Sequence, residues 1–304
     1  MGLWSPKSDG GAAVTAGPDS TAALTVSVVI PVRDDAPALD VCLSLLTRQT
    51  VAPLEIVVVD NGSSDTSAEV ARRWGAVVVG EPRVGIPAAA AAGYDAAKGD
   101  LVVRLDADSR PGPRCLQTAV ERMAADPGLD AITGTGLFYD APRGLRTMTS
   151  VAYLGAYYVL THLALGHTAL WGSCMAVRTA AWQAVRDDVV RDDAEVHDDL
   201  DLAFRLGPQR RTRLVRTWRV GVSARSLRGR RQRRRRLDRA WRTLRLNWQV
   251  APPWDRWWRR LNGAGRARMD QRSRGRIGSA RNSSIDSRVG NSVTSGPENR
   301  FTRE

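Results

Sequence analysis

The sequence predicts an α/β fold, with a mostly parallel central sheet flanked by helices and a basic helical C-terminal extension. Three observations predict it. Short β-branched runs alternate with helical stretches through residues 24–138, and that alternation requires crossover connections and therefore parallel strands with helices on the sheet faces. Acidic residues, namely Asp34, Asp60 and the pair Asp106 and Asp108, fall at the carboxyl ends of three of these runs, where a doubly wound sheet places its ligands. Charge is also sorted along the chain: residues 1–200 carry 16 Lys/Arg against 25 Asp/Glu, and residues 201–304 carry 29 against 7.

Each element has its own signal. Residues 24–31 are a β-branched run ending at Pro31, a buried strand by composition. Residues 39–49 place Leu39, Leu43 and Leu46 on one helical face. Residues 54–60 form a second strand, and the turn at 61–65 caps a helix over 66–74. A third strand at 76–80, an alanine-rich helix at 87–98 and a fourth strand at 100–105 follow. On that fourth strand Asp106 and Asp108, two residues apart, are expected to share a face and converge on one ligand. A helix over 111–126 and a strand over 131–138 complete the alternation. Residues 147–177 carry no Asp, Glu or Lys and include Tyr153, Tyr157, Tyr158, His162 and His167. Gly, Thr, Ser and His dilute this stretch below the ~20 apolar residues of a membrane span, and a span here would put Asp108 and the later acidic cluster on opposite sides of a bilayer. It is expected to be a buried or interfacial helix, with His162 and His167 as core histidines.

The 304 residues suffice for a sizeable core. Three widely spaced cysteines, Cys42, Cys115 and Cys174, fit neither a disulfide framework nor a zinc cluster and indicate a reducing compartment. Residues 1–23 lack the cationic start and apolar block of a secretory signal and read as a disordered leader. The domain plan is a catalytic domain over 24–206, with a nucleotide-binding half at 24–110 and an acceptor half at 111–206. A Trp/Arg-rich helical extension over 207–262 and a disordered tail over 263–304 follow.

Four acidic segments stand in order: Val29-Ile-Pro31-Val32-Arg33-Asp34, Val57-Val-Val-Asp60-Asn61-Gly62-Ser63-Ser64-Asp65, Leu105-Asp106-Ala107-Asp108, and His197-Asp198-Asp199-Leu200-Asp201-Leu202 followed by Arg205. Together they resemble the family 2 glycosyltransferases, whose fold is called GT-A, over about 180 residues. The resemblance implies that Pro31, Val32 and Asp34 line the nucleotide pocket, that Asp60 meets the uracil ring, that Gly85 belongs to the donor site, and that Asp106 lies near the ribose. It further implies that Asp108 binds a Mg²⁺ or Mn²⁺ ion bridging the diphosphate, that Gly172 and Ser173 line the acceptor site, and that Asp199 is the catalytic base beside Asp198. Residue chemistry points the same way: a hard cation takes oxygen ligands from carboxylates and phosphates, and a base must reach the acceptor hydroxyl. One base opposite the diphosphate gives direct displacement and inversion. Asp198, Asp199 and Asp201 also fit a charge cluster at a helix N-terminus, His197 reads as a neighbour of the site, and Asp65 reads as a helix cap. One departure stands out: where the family shows Ala-Arg-Asn-x-Gly, this chain has Ala89-Ala90-Ala91-Ala92-Gly93, which removes two polar side chains that Arg83 or Arg104 could replace.

The expected activity is transfer of a sugar from a nucleotide-sugar, UDP-linked by expectation, to a carbohydrate, lipid-linked or small-molecule acceptor. The alternative is a non-catalytic arginine-rich binding protein on a degenerate scaffold. A sugar nucleotidyltransferase is disfavoured, because no Gly-rich phosphate loop follows the first strand. Arg228, Arg230, Arg231 and Arg233 to Arg236 precede Trp241, Trp248, Trp257 and Trp258. That pairing suits an anionic membrane surface, or a segment covering the acceptor site, better than nucleic acid. The expected location is cytoplasmic, with peripheral attachment to the inner face of the plasma membrane.

Overall fold

The strand and helix signals resolve, in a computed structural model describing residues 23–225 and 229–262, into eight strands in one sheet, eight helices named below and a last helical stretch over 253–262. The expected leader, Ala23 apart, the expected tail and Arg228 lie outside the described residues. In order the elements are β1 (Val26–Val32), α1 (Ala36–Leu46), β2 (Glu55–Asp60), α2 (Ser67–Arg73), β3 (Val77–Gly80), α3 (Ile86–Ala96), β4 (Leu101–Arg104) and β5 (Arg110–Pro111). Then come α4 (Cys115–Ala124), β6 (Ala131–Phe138), α5 (Arg146–Leu165), β7 (Met175–Arg178), α6 (Thr179–Gln183), α7 (Asp198–Leu206), β8 (Thr212–Val222) and α8 (Arg230–Val250).

The sheet runs β3-β2-β1-β4-β7-β6-β8-β5. β3, β2, β1 and β4 are mutually parallel, β7 runs antiparallel to both β4 and β6, and β8 rejoins parallel to β6. Strand alternation divides the core in two: Val28 and Ile30 pack with α1 and α4 on one face, and Val29, Val57 and Val59 pack with α3 and α7 on the other. The alanines at 88–91 are all buried, and a Cβ on Gly93 would stand 2.8 Å from Val59 Cγ2. Small side chains therefore let α3 lie close against β1 and β2, and this accounts structurally for the alanines that replace the polar pair. Asp65 is a helix cap as expected: its Oδ1 accepts from Ser67 N (2.9 Å) and its Oδ2 from Ala36 N (2.9 Å), so it holds the starts of both α1 and α2.

Three expectations are corrected. The extension placed at 207–262 is not wholly helical, because residues 212–222 form β8 inside the sheet, and Trp218 there is among the largest fully buried side chains. The catalytic unit therefore runs past residue 206, and the helix begins at Arg230. Asp106 and Asp108 do not continue a strand: β4 ends at Arg104, and the chain turns so that Ser109 N donates to Asp106 O at 2.9 Å. The stretch 147–177 is no single helix. α5 ends at Gly166, whose φ of 74° forms a left-handed cap, and β7 follows. Residues up to Trp257 make one unit, and of the unit that begins at Trp258, residues 258–262 are helical. No helix among the described residues is long and apolar enough to cross a membrane.

Trp218 donates Nε1–H to Cys115 O at 3.0 Å and ties β8 to α4. Trp218→Ala is expected to cost about 3–5 kcal/mol through the cavity it leaves, read as a lowered midpoint in denaturant unfolding.

Candidate active site

A cleft of about 510 Å³ opens at the carboxyl ends of β1 and β4 and is closed by the segment before β7, the start of α7, the end of β8 and the first turns of α8. Pro31, Val32, Gly85, Asp106, Asp108 and Ser173 line it, as do Asp198 and Asp199. Asp34, Asp60 and Gly172, also expected at the site, are not among the residues that line it, although a chain neighbour of each is. Asp34, at a left-handed φ of 51°, accepts from Ser64 N at 2.7 Å, and that bond holds its carboxyl below the usual carboxylate range. It pins the turn after β2, while its neighbour Asp35 takes the place in the cleft wall. Asp60 accepts from Ser63 N at 3.0 Å. Gly85 needs to be glycine: its φ is 141°, and a Cβ there would stand 2.8 Å from Ala194 Cα.

At the floor, Arg104 is 4% exposed and places Nη2 3.0 Å from Asp106 Oδ1 and 3.7 Å from Asp198 Oδ2. Asp106 also accepts from the Ser173 hydroxyl. Asp198 Oδ2 has no hydrogen-bond partner, and burial pushes the Asp198 carboxyl up to about 6 against the pull of Arg104. Asp199, beside it at the N-terminus of α7, has a fixed orientation: Gly172 N donates to its Oδ2 and Leu200 N to its Oδ1, each at 2.8 Å. A side chain on Gly172 would overlap the Arg104 guanidinium, so this glycine lets the floor and the Asp199 segment meet. Desolvation holds the His197 imidazole below its usual value, opposed by the Asp199 carboxylate and reinforced by Arg239 and Arg236.

At the other end, burial and the neighbouring Asp106 charge raise Asp108 to about 6, opposed by Arg225. Arg225 Nε lies 3.1 Å from Asp108 Oδ2, and its guanidinium also pairs with Asp35. A divalent cation fits this donor set, because Asp35, Asp106 and Asp108 bring carboxylate oxygens to one wall of the cleft and a hard cation takes oxygen ligands. Among the described residues no three His, Cys, Asp or Glu side chains converge on one point, so ligands from a bound diphosphate would have to complete the shell.

Several groups here had no distinct sequence signal. Asn61 is buried, donates to Glu81 O and Arg83 O at 3.0 and 2.7 Å, and accepts from Gly85 N at 2.7 Å, which shapes the approach to α3. Of the two arginines expected to replace the missing pair, Arg104 lines the cleft, whereas Arg83 is bound to Glu81 and Asp192. Arg225 and Asp35 emerge only from the fold.

A family model described as glycosyl transferase family 2 matches residues 27–185, just over half of the chain. An undecaprenyl-phosphate 4-deoxy-4-formamido-L-arabinose transferase of Edwardsiella ictaluri is 41% identical over 121 residues, 35% of each chain. Glycosyltransferase AglE of Haloferax volcanii is 32% identical over 117 residues, 36% of this chain and 38% of that protein. The chain thus spans about a third of the length of these curated relatives. Among solved structures, a mannosyltransferase of Pyrobaculum calidifontis in complex with GDP-Man and Mn²⁺ superposes with a TM-score of 0.52 at 24% identity, covering 72% of this chain and 63% of that one. Glucosyl-3-phosphoglycerate synthase of Mycobacterium tuberculosis in complex with UDP does so with a TM-score of 0.54 at 20% identity, covering 74% and 80%. The fold is accordingly GT-A, as the ordered acidic segments implied.

Asp198 has a folded pKa above its ordinary 3.8, so its contribution to stability is fully present below that value and is lost as pH rises through about 6. Asp198→Asn mimics the protonated carboxyl. It is expected to melt above the wild type near pH 7.5, with the gap closing near pH 4, and a variant that melts lower at pH 7.5 would make the Arg104 pairing the larger effect.

Proposed function

The chain belongs to glycosyl transferase family 2, and from that premise we propose that it transfers a sugar from a UDP-linked donor to an acceptor hydroxyl with inversion at the anomeric carbon. One observation carries the reading: carboxylates from the end of β4 and from the start of α7 face the same cleft, which supports a diphosphate end and a base end serving one reacting centre. Asp199 accepts the proton of the acceptor hydroxyl, its carboxylate aimed by the Gly172 N–H, while Asp198 and Ser173 position the acceptor. Pro31, Val32 and Gly85 bound the donor pocket, and Asp60 and Asp34 shape it through the turn after β2 that both hold. Asp108, with Asp106 and Asp35 beside it, would hold Mg²⁺ or Mn²⁺, which when bound supplies neutralisation of the departing diphosphate. Arg104 stands between Asp106 and Asp198 and pairs with both, and Arg225 offers a second positive group at the diphosphate end. The acceptor is a carbohydrate, a lipid-linked molecule or a small molecule, and similarity to an undecaprenyl-phosphate transferase supports the lipid-linked class.

We also propose an anionic bilayer surface as a partner. Residues 147–165 of α5 contain no Asp, Glu, Lys or Arg, yet Met148, Val151, Val159, Leu160 and Leu163 are exposed. α8 lies alongside, with Trp248 Nε1 donating to Ala164 O at 3.2 Å, and it exposes Leu237 and Trp241 among its arginines. An uncharged apolar helix face bordered by Trp and Arg suits the boundary between headgroups and acyl chains.

Asp199→Asn is expected to lower kcat about 100-fold or more while leaving nucleotide affinity unchanged, measured by turnover and calorimetry across UDP-, GDP- and dTDP-sugars with and without Mn²⁺. Retention of the donor's anomeric configuration in the product would refute the inverting mechanism, and full biological activity of Asp108→Ala would favour the non-catalytic binding role. For the bilayer, the wild type is expected to co-sediment with anionic vesicles and Leu160→Glu/Leu163→Glu to lose that binding; a wild type that stays in solution at moderate salt would sink the idea.

A further inference from the structure

The first turns of α8 form a wall of the cleft, and that wall is made of arginine. Gln232, Arg235, Arg236 and Arg239 all line it on the side of His197, Asp198 and Asp199. Their spacing of three, four and seven residues puts them on one helical face. The wall is fixed in place by contacts further along the helix. Thr243 Oγ1 accepts from His197 N at 2.9 Å, Asn247 Nδ2 donates to the buried Asp201 Oδ1 at 2.8 Å, and Arg242 Nε lies 2.7 Å from Asp193 Oδ2. Docking of α8 is therefore secured without the arginines nearer its N-terminus. Within the wall, Arg235 pairs with Glu195 at 2.7 Å, Arg239 lies 3.9 Å from the same carboxylate, and the Arg236 guanidinium sits 5.9 Å from the centre of the Tyr153 ring, another cleft residue. Arg235 and Arg239 thus share Glu195, and Arg239 Nη2 also donates to Val196 O at 3.0 Å, so three guanidinium groups line the cleft together with Asp198 and Asp199.

We propose that this wall is a phosphate subsite of the acceptor: the molecule that presents its hydroxyl to Asp199 carries a phosphate group close by, bound by Arg235, Arg236 and Arg239. The chemistry is that of planar guanidinium forks on phosphate oxygens, charge-assisted and directional. Two sources supply it, a free polyol phosphate or the phosphodiester headgroup of a phospholipid. The assignment of the bound molecule as acceptor rests on the glycosyl-transfer reading; the phosphate site itself does not.

Calorimetry on the full chain saturated with UDP and Mn²⁺, so that the diphosphate end is filled, tests it with inorganic phosphate, glycerol 3-phosphate, glycerol and short-chain phosphatidylglycerol. The phosphate-bearing probes are expected to bind and glycerol to fail. Arg235→Gln and Arg236→Gln are each expected to weaken phosphate binding about ten-fold or more, with UDP affinity unchanged and Arg236→Lys recovering part of the loss. Tighter binding of phosphatidylglycerol than of glycerol 3-phosphate assigns the lipid headgroup, and the reverse order assigns the free polyol phosphate. Equal affinities of glycerol and glycerol 3-phosphate, no binding of any phosphate probe, or affinities unchanged in both glutamine variants would overturn the subsite. Failure of UDP to bind would remove the donor reading while the phosphate titrations, run without it, still decide this one.

Discussion

The buried Arg104 guanidinium holds together two parts of the chain that are almost a hundred residues apart, the end of β4 and the start of α7. Its contacts with Asp106 and Asp198 let carboxylates gather where a water-excluding floor would otherwise keep them neutral. A buried charge without a partner is strongly destabilising, so losing Arg104 leaves both carboxylates without the one cation they share. The need for space around Arg104 explains why residue 172 is glycine. The glycine N–H then serves a second purpose by aiming Asp199. The floor and the orientation of the Asp199 carboxylate are thus set by the same packing requirement.

The opposite end of the cleft balances differently. Asp108 and Asp35 share Arg225, which comes from beyond β8, and the arginine is exposed while both carboxylates are largely covered. At the Arg104 end the cation is the covered partner, and at the Arg225 end it is the exposed one.

Most of the parallel half was legible in the sequence, because β1, β2 and β4 are buried on both faces and read as continuous apolar runs, and because α1 carries its heptad-like leucines. β8 was not. Its buried residues Trp218, Val220 and Val222 alternate with the exposed Arg219, but arginines crowd the whole region and its register against β6 shifts between Thr133 and Thr135, so the period of two is short and interrupted. The acidic residues were legible as a set, while their individual roles followed the turns. Asp34 and Asp35 are adjacent and chemically identical, and only the left-handed backbone at Asp34 decides which one faces the cleft. Arg104 and Arg225 carry no local pattern at all, since their partners come from other elements.

α8 joins these arguments through its two faces. Its inner face is locked to α7 by Asn247 on the buried Asp201 and by Thr243 on His197, so the arginine wall and Asp199 belong to one rigid assembly. Its outer face exposes Leu237 and Trp241, four residues apart and therefore on the same side, next to the uncharged surface of α5. A helix whose inner surface is cationic and whose outer surface is amphipathic need not divide its arginines between two unrelated tasks. On the two proposals, phosphates at a bilayer surface and a phosphate beside Asp199 would call for the same guanidinium chemistry on two sides of a single helix.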